Sequence, residues 1–300
     1  MSKKRINFLI LSSFFIIYGC THNKKEKFIS DIHSIIDTTD AKIGIAIKNL
    51  DTNDSLSINN TGQYPMQSVY KFPLAIAVLD RVDKGDFSLD QKMHVSKKDL
   101  LPDTWSPLRD KYPNGEIDLS LSEIIDFTVS QSDNNGCDIL FRLLGGTEKV
   151  EKYIYELGVN DISIKATEEE MHKDWNVQFT NWCKPMAMVQ ILELFEKKSI
   201  LSKPSKTFLW ESMVQTSTGP NRIKGLLPEG TIVAHKTGTS GKNEDGISAA
   251  VNDVGIIVLP NGNKIAIAIF VTSSKVDDRV NESVIAKISR IVYDYYLSGK

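Results

Sequence analysis

The chain has 300 residues, of which 41% are hydrophobic and 25% are charged, and its formal net charge at pH 7 is -2. This length is sufficient for one large domain or two lobes with a substantial core. The near-neutral charge argues against a nucleic-acid-binding protein, which is usually basic. The composition is typical of a soluble globular protein.

The N-terminal segment predicts export. Three basic residues, 3–5, precede the almost wholly apolar segment 6–18. A basic segment followed by a short apolar one is typical of a secretory signal peptide, and an apolar segment of about thirteen residues is too short to span a bilayer. A buried core helix is the alternative. We expect residues 1–20 to be a signal peptide and the protein to be periplasmic.

The cysteines and histidines restrict the other chemistry that the chain offers. Residues 17–20 resemble the lipobox of bacterial lipoproteins, which implies a lipid anchor at Cys20 or, because Tyr18 is bulky for that pattern, simple periplasmic release. Cys137 and Cys183 then remain, either as a disulfide or as buried free thiols. The five histidines lack the spacing of metal ligands, so we expect no metal site.

Periodicity in chain order predicts strands near both ends and helices between them. The first elements are an amphipathic helix over 23–40, strands over 42–48 and 55–58, and a helix that ends near 84. The middle helices are predicted over 119–129, 137–144, 148–157 and 184–198. The last third predicts strands over 231–237, 248–259 and 264–272 and a closing helix over 276–297. Segment 167–181 is polar and aperiodic, and is predicted to be a loop.

This order predicts an α/β fold in which both chain ends build one antiparallel sheet flanked by helices. An all-helical lobe is inserted between the two parts of the sheet. The predicted α/β lobe comprises 21–62 and 217–300, and the predicted helical lobe comprises 63–216. A cleft at their junction is the expected place for a ligand.

A nucleophile and a base are predicted where an extended segment gives way to a helix. Ser68 and Lys71 stand three residues apart in the stretch that leads to Pro73. Residues three apart share one face of a helix, so the amine can reach the hydroxyl near a helix N-terminus. The S-x-x-K spacing alone is a weak signal, since a surface serine near a surface lysine has the same pattern.

Two further motifs accompany it. Residues 132–134 read Ser-Asp-Asn at the end of a predicted helix, and residues 236–238 read Lys-Thr-Gly on a predicted strand. Alone, the first is a helix-ending turn and the second a strand with a surface lysine. Together, S-x-x-K, S-D-N and K-T-G are the set found in class A β-lactamases and penicillin-binding proteins.

The sequence therefore resembles the class A serine β-lactamases, over nearly the whole chain after the signal peptide. Segments 167–174 and 178–182 also resemble the cephalosporinase branch, in which the omega loop is enlarged and altered. The resemblance implies a β-lactamase/D,D-peptidase-like fold and the hydrolysis of β-lactams through a serine acyl-enzyme, without metal or cofactor. We expect the protein to be a monomer. It implies antibiotic resistance, with cephalosporins favoured and penicillins also accepted. A penicillin-binding D,D-peptidase and a non-hydrolytic β-lactam sensor are the alternatives.

The resemblance also implies the roles of acylation. Ser68 is the nucleophile, and Lys71 takes its proton or orients it. Ser132 relays a proton to the β-lactam nitrogen. The backbone amides of Ser68 and Thr239 bind the oxyanion that develops on the attacked carbonyl.

Substrate binding is implied at the two other motifs. Asn134 is expected to bind the side-chain amide of the substrate, and Gly238 lets the strand backbone approach the ligand. The substrate carboxylate is expected to be received by Lys236, Thr237, Thr239 and Ser240.

Deacylation requires a base that activates water. By resemblance this base is Glu168, the first of three consecutive glutamates on the omega loop. A solvated acidic patch is the alternative. His172 stands four residues later, where most members have an asparagine that holds the water, and an imidazole can also make one such hydrogen bond.

Two positions at the rim complete the expected site. Trp105 matches the aromatic residue at the cleft mouth, with a core tryptophan as the alternative. Arg222 resembles an arginine that assists carboxylate binding in some members, with Arg279 as a competitor and a surface arginine as the alternative.

Overall fold

The computed structural model describes residues 24–299. The predicted signal peptide 1–20 and its Cys20 lie outside the described residues. Within residues 24–299, no helix is both long and apolar enough to cross a membrane.

The chain alternates helices and strands as follows. The strands are β1 (Lys42–Asn49), β2 (Ser55–Ile58), β3 (Tyr64–Pro65), β4 (Lys92–Val95), β5 (Ile117–Ser120), β6 (Ile162–Ser163), β7 (Trp182–Cys183), β8 (Val233–Thr239), β9 (Val251–Val258) and β10 (Lys264–Thr272). The α-helices are α1 (24–36), α2 (Lys71–Asp83), α3 (Pro107–Lys111), α4 (Leu121–Ser130), α5 (Asn134–Leu144), α6 (Thr147–Glu156), α7 (Glu168–Lys173), α8 (Pro185–Lys197), α9 (Lys203–Val214) and α10 (Asp278–Leu297). The 3₁₀ turns are Gln67–Tyr70, Lys97–Asp99, Val177–Thr180 and Ile223–Leu226.

One antiparallel sheet joins the two ends of the chain, in the order β2-β1-β10-β9-β8. Successive side chains of each strand point to opposite faces of the sheet, so each strand contributes residues to both faces. In β1, Ile43 and Ile45 pack with α1 and α10, whereas Ala46 faces the helical region. The predicted fold class is confirmed, and the sheet separates two hydrophobic cores.

The region between β2 and β8 is mainly helical, as expected, and also contains two small ladders. Strand β4 pairs with β5, and β7 pairs with both β3 and β6. These strands have only two to four residues, which is too short for alternation to reveal them. The lobe boundaries at 62 and 217 stay predictions.

The predicted loop 167–181 is partly wrong, because α7 and a 3₁₀ turn lie within it. Thr167 caps α7: its hydroxyl accepts a bond from Glu170 N, and its own N–H donates to the Glu170 carboxylate at 2.8 Å. This reciprocal capping box starts a helix without apolar periodicity. The T-x-x-E signal was present in the sequence and outweighs the missing periodicity.

Candidate functional site

The nucleophile turn lies where β3 ends against the inner face of the sheet. Ser68 belongs to the 3₁₀ turn Gln67–Tyr70, which runs directly into α2. Gln67 has a φ of +47°, a left-handed conformation that is uncommon for a side chain of this size. The turn thereby places the hydroxyl of Ser68 at the first turn of a helix, as the sequence predicted.

Lys71 connects three parts of the site. Its side chain is completely buried, and its Nζ lies 2.9 Å from Ser68 Oγ and 3.0 Å from Glu168 Oε1. The same Nζ donates to the backbone oxygen of Ser132 at 2.8 Å and to Asn134 Oδ1 at 2.5 Å. Four oxygens thus fix the amine beside the hydroxyl.

The turn between α4 and α5 presents Ser132 and Asn134. Ser132 has a φ of +60°, and Asp133 caps α5 by accepting a bond from Gly136 N at 2.7 Å. The carboxylate of Asp133 also accepts bonds from Ser106 and from Leu108 N at 2.7 Å. Burial raises the pKa of Asp133, and these hydrogen bonds and the charge of Lys71 oppose that rise. The middle residue of the motif therefore holds the turn that carries the other two.

Strand β8 brings the third motif to the same place. Lys236 is completely buried, and its Nζ donates to Ser132 Oγ at 2.8 Å and to Thr237 O at 3.0 Å. Burial, and then the charge of Lys71, lower the pKa of Lys236 well below its ordinary value. A Cβ at Gly238 would lie 2.3 Å from Met66 O, so glycine allows β8 to pass close to the nucleophile turn.

The three glutamates of α7 have three different environments. Glu168 is 7% exposed, and its Oε1 lies 3.5 Å from Ser68 Oγ as well as 3.0 Å from Lys71 Nζ. Glu169 pairs with Lys173 at 2.9 Å on the outside of the helix, and Glu170 completes the cap at Thr167. Only Glu168 of the three contacts the nucleophile, so an entirely solvated acidic patch is excluded.

Two buried residues that the sequence reasoning missed hold α7 in place. The carboxylate of Asp138 accepts bonds from Glu168 N at 2.8 Å and from Glu169 N at 2.9 Å. Burial, and then the neighbouring charge of Glu168, raise the pKa of Asp138 to about 6. Asn181 holds the backbone that leads into the helix: its Oδ1 accepts bonds from Lys165 N at 2.7 Å and from Ala166 N at 2.9 Å. No motif spacing links either residue to Glu168.

The motifs enclose a cavity of about 280 Å³. Its lining includes Ser68, Ser132, Asn134, Glu168, Thr237 and Thr239. A second cavity of about 370 Å³ shares part of that lining and extends between α7 and the end of β8, past Trp105, His172, Trp175 and Ser240. The sequence-predicted residues of the three motifs thus meet in one cleft.

Trp105 and His172 both lie at the surface of the cleft. Trp105 is 60% exposed and donates its indole N–H to Gln131 O at 2.9 Å, so it is not a core tryptophan. His172 is exposed on α7 and lines the second cavity together with Glu168.

Arg222 is not a surface arginine, because it is only 5% exposed. Its guanidinium donates to Gly238 O at 3.1 Å and to Thr239 Oγ1 at 2.8 Å, and it pairs with Glu282 at 3.2 Å. Arg279 is exposed near the start of α10. Arg222 therefore reaches the cavity through Thr239, which itself lines it.

Cys137 and Cys183 are free thiols, and both are buried. Of the two arrangements left open by the sequence, the structure has the unpaired one. All peptide bonds of the described residues are trans, including the bond after Glu168.

Comparison with known proteins gives matches along nearly the whole chain. The model of the β-lactamase enzyme family matches residues 27–296. β-Lactamase VEB-1 of Pseudomonas aeruginosa is 49% identical over 298 residues, 98% of each chain. Extended-spectrum β-lactamase PER-1 of the same organism is 42% identical over 89% of this chain and 86% of its own. The solved TLA-1 extended-spectrum β-lactamase has a TM-score of 0.89 and 56% identity, and the match covers 91% of this chain and 99% of that one.

Proposed function

We propose, from the premise that this chain belongs to the β-lactamase enzyme family and is a class A serine β-lactamase, that Ser68 is the nucleophile of its β-lactam hydrolysis. The activity and the resulting antibiotic resistance follow from the family. The β-lactamase relatives do not favour the alternatives, a D,D-peptidase or a non-hydrolytic sensor. The observation that carries the proposal is the position of Lys71 Nζ, 2.9 Å from Ser68 Oγ and 3.0 Å from Glu168 Oε1.

Acylation begins with attack of Ser68 Oγ on the carbonyl carbon of the ring. The hydroxyl proton passes to Glu168, directly or through water, while a charged Lys71 orients the hydroxyl, or it passes to Lys71 when that amine is neutral; both groups lie within 3.5 Å of Ser68 Oγ. The oxyanion is received by the backbone amides of Ser68 and Thr239. Preorganised donors of this kind stabilise the charge as it develops, at no cost of reorganisation during the step.

Ring opening requires a proton on the β-lactam nitrogen. Ser132 relays this proton, because its hydroxyl lies beside Lys236 Nζ at 2.8 Å and its backbone oxygen accepts from Lys71. Lys236 and Thr237 hold the substrate carboxylate, with Thr239 and Ser240 beside them. The buried ammonium of Lys236 is suited to this anion, because a charge-assisted contact is stronger in a dry site.

Deacylation frees Ser68 again. Glu168 acts as the general base that takes a proton from water, and the water then attacks the acyl carbon. Glu168 Oε1 lies 3.5 Å from Ser68 Oγ, which leaves the carboxylate within reach of an acyl group on that oxygen. His172 lies one helical turn later on α7 and holds this water from the second cavity.

The substrate side chain occupies the second cavity, beyond Asn134. The volume of about 370 Å³ between α7 and β8 accepts a larger substituent than the first cavity alone. Two tryptophans, Trp105 and Trp175, line it and offer flat apolar surface to an aromatic group. By the resemblance of its omega loop, the enzyme prefers cephalosporins, and penicillins are accepted. PER-1 and TLA-1, two of the relatives, are named extended-spectrum enzymes.

Export completes the proposal. Residues 1–20 direct the chain to the periplasm, where it acts as a monomer, and Cys20 carries a lipid anchor. Cys20→Ser is expected to move activity from the membrane fraction to the soluble periplasmic fraction. Activity that is already soluble before the substitution would contradict the anchor and favour simple release.

Hydrolysis of a penicillin and a chromogenic cephalosporin by the purified protein tests the proposed function. Turnover of both, faster for the cephalosporin, is expected. Ser68→Ala should lower turnover at least a thousandfold, whereas Ser57→Ala, on the sheet edge strand β2, should retain it. Residual activity of Ser68→Ala above a thousandth would contradict the nucleophile, and one stable adduct without turnover would indicate a sensor.

A further inference from the structure

A buried acid–imidazole pair lies on the far side of β8 from the cavity. His235 and Asp253 are both completely buried, and His235 Nδ1 lies 2.9 and 3.0 Å from the two oxygens of the Asp253 carboxylate. The carboxylate also accepts a bond from Ile223 N at 3.1 Å. A Cβ at Gly255, the register partner of His235, would lie 2.7 Å from His235 Cβ, so glycine makes room for the ring.

The hydrogen bonds of this pair assign its charge. His235 Nε2 is buried and has no partner among the described residues. We assign the ring as neutral, with its one proton on Nδ1 and directed to Asp253, because Nδ1 faces both oxygens of that carboxylate. The carboxylate then keeps its negative charge, since it accepts both N–H bonds.

Lys236 is the buried cation next to this charge. Among the described residues, no carboxylate lies within 4 Å of its Nζ, which contacts only a hydroxyl and a carbonyl oxygen. Lys236 is next to His235 in β8, and its register partner Val254 is next to Asp253 in β9. The side chains of Lys236 and Asp253 thus lie on opposite faces of two paired strands, close enough for the carboxylate to act on the ammonium through the sheet.

Other charged groups also face Asp253. Arg222 immediately precedes the adjoining 3₁₀ turn and Lys224 lies within it, and Glu282 of α10 pairs with Arg222 at 3.2 Å. Burial lowers the pKa of Lys224, and the charge of Asp253 opposes that shift. On the cavity side, Lys71 is paired with Glu168. Burial and then the charge of Lys71 lower the pKa of Lys236, and the charges of Glu168 and then of Asp253 raise it. Within residues 24–299, Lys236 is thus the buried cation at the cleft that has no carboxylate in contact.

We propose that Asp253 and His235 are positioning residues that act through Lys236: from behind the sheet, the Asp253 carboxylate keeps the Lys236 ammonium charged, and His235 holds that carboxylate ionised and in place. The inference rests on the proposed role of Lys236 in receiving the substrate carboxylate. Its consequence is kinetic, because loss of the Lys236 charge at alkaline pH weakens binding of the anionic substrate.

The pH dependence of kcat/KM for a penicillin, from pH 5 to 10.5, tests this inference. Asp253→Asn keeps the shape and removes the charge. It should move the alkaline limb about one unit toward lower pH, mainly through KM, with about a tenfold greater loss at pH 9 than at pH 7. The matched control Asp245→Asn, in the exposed turn before β9, should leave the limb in place. A uniform loss of activity with an unmoved limb would overturn the inference.

Two further measurements cover the other ways in which the inference can fail. Lys236→Arg carries a guanidinium that does not titrate in this range, so its alkaline limb should vanish. A limb that persists there would refute the role of Lys236 itself, and with it the inference. If Asp253→Asn does not fold, nitrogen-15 NMR of the wild-type histidines decides: a neutral Nδ1–H ring for His235 at pH 7 supports the pair, and an imidazolium overturns it.

Discussion

Asp138 provides a test in which two opposing effects can be weighed. Its carboxylate accepts two backbone N–H bonds from the start of α7, which favour its charged form. Burial and the charge of Glu168 disfavour that form, and they prevail, because the pKa rises from 3.8 to about 6. We therefore expect that the charged Asp138 lowers the stability of the fold, although it makes two good hydrogen bonds.

The sign and the magnitude follow from linkage. A carboxyl group whose pKa is higher in the folded state than in the unfolded state contributes stability below about pH 4, and this contribution is lost as the pH rises through about 6. A shift of about two units corresponds to about 3 kcal/mol. The unfolding free energy of the wild type, relative to Asp138→Asn, should fall by that amount between pH 4 and pH 7.

Urea unfolding of both proteins at pH 4, 5, 6 and 7, followed by circular dichroism, measures this difference. Asp90→Asn, an exposed aspartate before β4, is the control and should give a difference that does not change with pH. In a Glu168→Gln background the pH-dependent difference should shrink, because one cause of the raised pKa is removed. A wild type that gains stability over Asp138→Asn as the pH rises would refute the reasoning, since the two N–H bonds would then prevail.

Two further substitutions test how the cleft is held together. Gly238→Ala should lower kcat/KM about a hundredfold, because its Cβ would displace the nucleophile turn at Met66 O. The control Gly241→Ala, whose Cβ meets open space, should keep kcat/KM within a few-fold of the wild type. Equal losses of kcat/KM in the two variants would contradict the steric reason. Asn181→Ala should lower the unfolding free energy by about 3 kcal/mol in urea titrations, because buried backbone groups at Ala166 lose their partners. The exposed Asn176→Ala should change it by less than about 0.5 kcal/mol, and a similar loss in both would refute the assignment.

Much of the fold could be predicted because the sequence pattern is local. Strand β1 alternates apolar side chains between two covered faces, and the predicted strand 264–272 coincides with β10. The helix predicted over 119–129 is α4, which begins at Leu121 because Ser120 and Glu123 form a capping box there. The predicted strand 231–237 begins and ends two residues before β8, because the alternation of side chains does not show where pairing with β9 ends.

The candidate site was predictable where motif spacing is short. Ser68 and Lys71 are one turn apart, so their contact follows from the helix itself. Asp138 was missed because its partner Glu168 lies thirty residues later, and only the fold brings them together. The burial of Arg222 depends on β8, β9 and α10, and no local pattern reports it.

The central claim is that Glu168, and neither of its two neighbours, frees the acyl group from Ser68. Intact-mass measurement of Glu168→Gln after brief exposure to a cephalosporin tests it most directly, with Glu169→Gln and Glu170→Gln as matched controls. The account predicts a persistent adduct on Glu168→Gln and normal turnover in both controls. A persistent adduct on one of the controls instead would contradict it. So would a Glu168→Gln variant that carries no adduct and turns over at the wild-type rate.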